Sequence, residues 1–263
     1  MVLFRGDIKC KSLQRRTSLS VILPADNIHY LQGTEEIVEK PYKTLYLLHG
    51  LFGSDDIFLA NTTIQKFAED HNIAVVLPSG ENSFYVDQKE SHKYYGEFIG
   101  RELVEMTRNI FPLSHKKEDT YLAGFSMGGY GAIRNGLKYH DNFGYIGAIS
   151  AALLTDDLHN WGEGDDLLSS KSFAQSCFGD LNKVIGSDMD PKFLIDDLID
   201  NDIEIPKIFM AVGDNDFLYN ENIDYYNYLK SRNVDVEFRC SSGEHTWEFC
   251  NDYIKEFIEW LPL

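Results

Sequence analysis

A serine set between two glycines, GFSMG at Gly124 to Gly128, follows the short apolar run Tyr121 to Ala123 and opens onto a segment with little side-chain bulk. An apolar strand, then Gly-x-Ser-x-Gly, then a helix is the pattern of a nucleophile elbow, in which a strained turn lifts the Ser126 hydroxyl above a sheet edge. A Cβ at Gly124 or Gly128 would collide with a neighbouring strand or helix, and Gly129 and Gly131 let the helix lie close on the sheet. The helix starts at the serine, so its free NH groups and positive dipole end face the place where a negative oxygen would develop. A five-residue pattern also occurs in ordinary glycine-rich turns, so the rest of the chain has to supply the partners.

Those partners are an imidazole to take the serine proton, a carboxylate to fix the imidazole tautomer, and NH donors for an oxyanion. Ligands of an open parallel sheet bind beyond the carboxyl ends of its strands, so the partners are expected in the segments just after the buried strands. HGLFG follows Thr44 to Leu48, GDNDF follows Ile208 to Val212, and SSGEHTW follows Val234 to Arg239. The groups therefore occur in the order serine, acid, histidine. Of the eight histidines, His245 is the one that follows the last strand across a short glycine turn and precedes a helix. His49 also abuts a strand end but leads a glycine turn, and is expected to brace that loop by hydrogen bonds. Asp214 and Asp216 both follow Gly213; residues two apart in an extended segment share a face, so periodicity does not separate them.

The elements that must position these groups alternate in type. Leu19 to Pro24 reads as an antiparallel strand near the sheet edge, and 26–40 as a polar hairpin loop. Thr44 to Leu48 and Ile73 to Gly80 read as buried strands, with a helix near Thr62 to His71 between them. In Phe98 to Phe111, Ile99, Leu103, Met106 and Ile110 fall at helical spacing before Pro112. Strands at Tyr145 to Leu153, Ile205 to Gly213 and Val234 to Arg239 follow, with a last amphipathic helix from Trp247. Such alternation implies right-handed crossovers and a mostly parallel sheet with helices on both faces, an α/β fold in a single domain over 1–263. The Asp-, Ser- and Gly-rich stretch 155–205 is expected to be a small lid-like insertion over the active site.

Length and composition bound the reading. The 263 residues, 43% apolar and 13% aromatic, suffice for one large domain, and no segment approaches an apolar run of about 18–20 residues that a membrane span needs. Arg5, Asp7 and Lys9 interrupt what would have to be the apolar core of a signal peptide, and a cytoplasmic protein is expected. Cys10, Cys177, Cys240 and Cys250 show no CxxC or metal-ligand spacing, so free thiols are expected. A net charge of −18 repels phosphate backbones and anionic bilayers, which argues against nucleic acid and membrane as partners and leaves a homo-oligomer open. The acidic runs within 155–204 read as a solvated face, without the spacing of a calcium-binding EF-hand loop.

Taken together, LLHGLFGS, GFSMGGYGA, VGDNDFLY and GEHTW resemble the esterase D family of α/β-hydrolases, over about Ser18 to Leu261. That family includes S-formylglutathione hydrolases, tributyrin esterases, and feruloyl and acetyl xylan esterases. HGLFG, YYGEFIGRELVEMTRNIFP and GEHTW place the chain nearest the tributyrin esterases. The resemblance implies the α/β-hydrolase fold and a serine carboxylesterase that works through an acyl-enzyme without metal or organic cofactor. It assigns the acid to Asp216, three residues past the strand-ending glycine, the imidazole to His245 and the nucleophile to Ser126. The oxyanion donors it implies are the backbone NH groups of Leu51 and Met127. S-formylglutathione hydrolases usually carry an early loop like SGLTCTE; HGLFGSDD stands here, which makes a glutathione thioester the less expected substrate.

Leu51, Phe52 and Met127 would then flank the carbonyl carbon of a small ester, with Phe84, Tyr85 and Trp161 closing the pocket from above. The same aromatics would suit the sugar or cinnamoyl ring of a feruloyl or acetyl xylan ester. An acidic 155–205 insertion is a poor lining for a long acyl chain, because unpaired buried carboxylates are costly, and short acyl groups are expected. A non-catalytic binding protein on a hydrolase scaffold is the competing class; a disrupted triad would favour it, and Ser, Asp and His are all present.

Overall fold

The computed structural model describes residues 1–25, 41–164 and 169–263. The polar excursion expected at 26–40 lies outside them. Among the described residues, runs rich in Val, Ile, Leu and Tyr form strands β1 (Val2–Cys10), β2 (Arg15–Leu23), β3 (Thr44–Leu48), β4 (Ala74–Pro78), β7 (Thr120–Phe125), β8 (Tyr145–Ile149), β9 (Lys207–Gly213) and β10 (Val236–Ser241). A two-residue ribbon, β5 (Asp87–Gln88) with β6 (Lys93–Tyr94), stands apart. The eight main strands make one sheet in the order β1-β2-β4-β3-β7-β8-β9-β10. β1 and β2 run antiparallel to their neighbours and the other pairs are parallel, so this is the α/β-hydrolase fold.

Because successive residues of a strand point to opposite faces, each central strand feeds two cores. Tyr46 and Leu48 of β3 enter one apolar cluster, and Leu45 and Leu47 enter the other. Helices α1 (Ile57–Asn61), α2 (Ile64–Asp70) and α9 (Trp247–Trp260) cover the second face. The first is covered by α4 (Leu103–Ile110), α5 (Met127–Lys138), α6 (Lys171–Phe178), α7 (Pro191–Asp200) and α8 (Tyr219–Ser231). No described helix is long and apolar enough to cross a membrane.

The strand read at Leu19 to Pro24 lies near the sheet edge as expected: it is β2, antiparallel, with β1 outside it, whose alternating Arg5, Asp7 and Lys9 conceal its apolar residues from a pattern reading. Two expectations need correction. Ile110 does not join the core but is 57% exposed. A short helix α3 (Tyr95–Glu97) passes through a π turn at Phe98–Glu102 before α4, and the wider turn puts the spacing set by Ile99 and Leu103 out of phase by Ile110. The 155–205 insertion is also not uniformly solvated. Its Leu158, Phe178, Leu194 and Leu198 extend the core over α5, and Asp188 accepts from Nη2 of the fully buried Arg134 at 2.6 Å. Burial would raise the Asp188 carboxyl, but Arg134 and Lys138 hold it below the ordinary value.

The elbow depends on backbone proximity. A Cβ on Gly128 would lie 2.0 Å from the Leu48 carbonyl oxygen, and one on Gly124 would lie 2.2 Å from the Gly128 oxygen. Both obstacles are backbone and cannot rotate away. Gly128→Ala should therefore lose roughly 1–3 kcal/mol or more of stability through overpacking, measured as a lower urea midpoint at unchanged slope. A wild-type midpoint would show that the crossing can relax.

Candidate active site

At the end of β7 the chain reverses through Ser126, whose φ of 59° and ψ of −120° are costly for any residue with a Cβ. The conformation is held from both sides: the Ser126 NH donates to the Ile149 carbonyl at 3.0 Å, and its carbonyl accepts from Gly129 at 2.9 Å and Ala152 at 3.0 Å. The half-buried serine thus stands as the N-cap of α5, whose first-turn NH groups point toward it. Gly131 serves a purpose other than sheet packing, since a Cβ there would meet the Tyr85 ring at 2.5 Å.

The HGLFG segment lies directly against the elbow: a Cβ on Gly50 would be 3.2 Å from the Ser126 Cβ and 3.8 Å from its Oγ. Gly53 NH donates to Gly50 O at 3.3 Å, closing a turn in which Phe52 takes φ 63°. Phe52 NH donates to Asn82 Oδ1 at 2.9 Å, which fixes this unfavourable conformation. His49 is buried and holds the loop from beneath: its Nδ1 meets the Gly50 carbonyl at 2.7 Å, and its Nε2 accepts from Gly80 NH at 2.8 Å. Those partners require the neutral Nδ1-protonated ring, and burial pushes its pKa below 6.5.

Asp216, not Asp214, meets the imidazole. His245 Nδ1 lies 2.9 Å from Asp216 Oδ2 and 3.1 Å from Oδ1, while Leu218 NH donates to Oδ1 at 2.8 Å. Burial alone would raise the Asp216 carboxyl; hydrogen bonding from His245 and Leu218, with the nearby Ser150, holds it below the ordinary 3.8. Ser150 acts by proximity, because its buried hydroxyl forms no hydrogen bond of good geometry. Asp214 is exposed and works on the loops instead: its Oδ1 accepts from Gly243 NH, its NH donates to Ser241, and Asn215 NH donates to the Gly243 carbonyl. These bonds tie the β9 loop to the β10 loop and so set the Asp216–His245 distance. The imidazole ring lies between Phe125, stacked at 4.6 Å, and Phe217, tilted at 4.5 Å. It is thereby placed beside Phe125, the strand residue that precedes Ser126.

The remaining expected residues divide. Phe52 is 80% exposed at the rim. Tyr85 is not a substrate contact: it is fully buried, and its hydroxyl donates to the His49 carbonyl at 2.9 Å. Phe84 is likewise buried, packed edge-on against Tyr130 and tilted against Phe178 behind the elbow. Trp161 is half-buried and packed on the main core. Asn82, Phe125, Phe217 and Ser150 belong to the site's framework and were not singled out from sequence. Among the described residues, no group of three or more His, Cys, Asp or Glu side chains is placed to hold a metal ion.

A strained serine on a helix N-terminus, a backbone loop pressed against it and a carboxylate-held imidazole are a set able to perform acyl transfer. The family model described as "Putative esterase" matches residues 10–259. The chain belongs to the esterase D-like family. This esterase is 41% identical over 262 residues to a protein named acetyl esterase from Caldicellulosiruptor saccharolyticus, covering 99% of this chain and 98% of that one. Its fold matches FphF, a fluorophosphonate-binding serine hydrolase of Staphylococcus aureus, with a TM-score of 0.86 at 33% identity, covering 99% of this chain and 98% of the other. It also matches S-formylglutathione hydrolase (FrmB) of the same organism with a TM-score of 0.84, 33% identity and the same coverage. The esterase is accordingly a serine hydrolase that cleaves carboxylic esters.

The neutral His49 has a pH consequence. Its folded-state pKa is depressed, so the unfolded chain binds more protons as pH falls below 6.5; the stability it contributes is full above that pH and is lost on acidification. Thermal midpoints should fall from pH 7.5 to pH 5.5 more steeply in wild type than in His49→Gln. Equal slopes would show that the ring accepts a proton in place.

Proposed function

We propose that this esterase hydrolyses short-chain acyl esters through an acyl-enzyme. Ser126 attacks the ester carbonyl as His245 Nε2 takes its proton, and Asp216 stabilises the resulting imidazolium and keeps Nδ1 protonated. The backbone NH groups of Leu51 and Met127 receive the oxyanion, His245 returns the proton to the leaving alcohol, and water repeats the sequence on the acyl-enzyme. The observation that carries this reading is the 2.9 Å contact between His245 Nδ1 and a buried carboxylate, on an imidazole stacked against the residue preceding Ser126.

Packing behind the elbow supports the short acyl group. Met127, Phe84, Tyr130 and Phe178 are all buried, and Phe84 NH approaches the Met127 sulfur at 3.4 Å, so the region behind the elbow is closely packed. The reason therefore differs from the one expected: the acidic insertion turns an aromatic face, Phe173 and Phe178, toward Phe84. The 41% identical relative named acetyl esterase favours the same class. The thioester reading draws on the resemblance to FrmB and is carried as an arm of the test. Four free cysteines fit a reducing, cytoplasmic setting.

Ser126→Ala should abolish turnover and the acyl-enzyme burst while circular dichroism stays unchanged; retained activity would sink the mechanism. Asp216→Asn should lower kcat by about 10³–10⁴ through the wrong tautomer, with Asp214→Asn costing far less; the reverse ranking would displace Asp216. On p-nitrophenyl acetate, butyrate, octanoate and palmitate, kcat/KM should peak at two to four carbons, since about 1–3 kcal/mol rides on each methylene that fits or clashes. A rate climbing to octanoate refutes the short pocket. S-formylglutathione or ethyl ferulate ahead of butyrate would move the assignment to those branches.

A further inference from the structure

β1 ends the sheet, and among the described residues its only strand neighbour is β2. Nine residues of unpaired edge are a ready template for another strand. Here the edge adjoins a shallow apolar groove lined by Phe4, Ile8, Leu19, Val21, Ile110 and Phe111, in which Phe4 is 48% exposed and rests on Phe111 at 5.5 Å. Alternation puts Val2, Phe4, Ile8 and Cys10 on the groove side, and Leu3, Arg5, Asp7 and Lys9 on the other. Both Arg5 and Asp7 are exposed, and among the described residues neither side chain has an ion-pair partner. The hairpin through Arg16 carries five basic residues and one acidic, so Asp7 is the one acid there that can offset a cation of a neighbouring strand.

We infer that a second copy of this chain pairs here, β1 against β1 in antiparallel orientation, about a two-fold axis through Gly6. Keeping the apolar faces of both copies on one side restricts the centre to a residue opposite itself. Centring on Arg5 sets Arg5 against Arg5; centring on Asp7 sets Asp7 against Asp7 and Arg5 against Lys9. Like charges directly opposite are destabilising. Centring on Gly6 sets Arg5 against the partner's Asp7 twice over and Phe4 against the partner's Ile8 twice, and uses the whole strand from Val2 to Cys10. Gly6 has nothing within 4 Å of where a Cβ would stand, so the centre of the joint is open. The Asp7 carbonyl, turned to the free edge, accepts from Arg16 Nη2 at 3.0 Å, and its second lone pair is left for the Arg5 NH of the second copy.

Sedimentation velocity on the full chain over a concentration series reads the result. Wild type should be a dimer. Arg5→Asp or Asp7→Arg alone turns two attractions into two repulsions and should weaken it at least about tenfold, while the double variant R5D/D7R should restore it. Activity on p-nitrophenyl acetate should be unchanged in all three, because β1 lies four strands from β7, and it reports that the variants have folded. Gly6→Cys should give a disulfide-linked dimer under mild oxidation, since opposed residues of antiparallel strands sit about 4.5–5.5 Å apart at Cα, within disulfide reach. Leu3→Cys and wild type, with its exposed Cys240, should not. A monomer at every concentration overturns the inference and leaves the edge to a different protein. A dimer indifferent to both charge reversals, or unlinked by Gly6→Cys, overturns it in favour of another interface.

Discussion

The close crossing of α5 over β3 and β7 is the constraint on which the rest of the site depends. Backbone meets backbone where Gly128 passes the Leu48 carbonyl, and no side chain can fill that gap. Only this approach lets the strand end at Phe125 turn into a helix within one residue. Ser126 bears the strained conformation because Ile149, Gly129 and Ala152 bond its backbone on both sides. Five non-glycine residues with positive φ, namely Phe52, Phe84, Tyr85, Ser126 and Ser150, lie on the segments that meet there. Strain of this kind, about 1–3 kcal/mol per residue, persists only where the surroundings over-determine it. Here the surroundings are the crossing strands and the buried aromatic cluster behind the elbow.

A second constraint acts through two loops that α8 separates along the chain and the sheet brings side by side. The Asp216–His245 pair comes from the ends of β9 and β10, and a Cβ on Gly213 would be 2.3 Å from the Gly243 carbonyl oxygen. The loops therefore run in contact, and three hydrogen bonds through Asp214, Asn215 and their partners lock them. Aromatic rings take over where hydrogen bonding ends, since Phe125 and Phe217 bracket the imidazole and leave it little rotation. Precision here arises from backbone and ring packing more than from charge.

These constraints decide how much of the site was legible in the sequence. Glycines, strand ends and chain order are local, so the elbow, the HGLFG loop and the two candidate aspartates could be read directly. Choosing Asp216 over Asp214 took either a family resemblance or a fold, because both lie on one face of an extended segment. Asn82 and Phe217 were missed since their partners stand 30 and 28 residues away in sequence and no periodicity marks them. Tyr85 misled for a related reason: an aromatic in a loop looks available, and the space under Gly131 that swallows its ring is a tertiary fact. β1 was hidden by charges spaced as an exposed strand spaces them.

One bond outside the chemistry has wider reach than its size suggests. The Cys177 thiol of α6 donates to the Asn82 carbonyl at 3.2 Å, and the same asparagine holds Phe52 NH through its side chain. Burial pushes this thiol up to about 11, so it works as a spacer and not as a reagent. The insertion is thereby geared to the backbone beside Ser126 through one sulfur and one amide. Homologues that share every reacting side chain can then diverge in turnover by drift in a helix that supplies none of those side chains, and kinetic differences within such a family need not map onto its pockets.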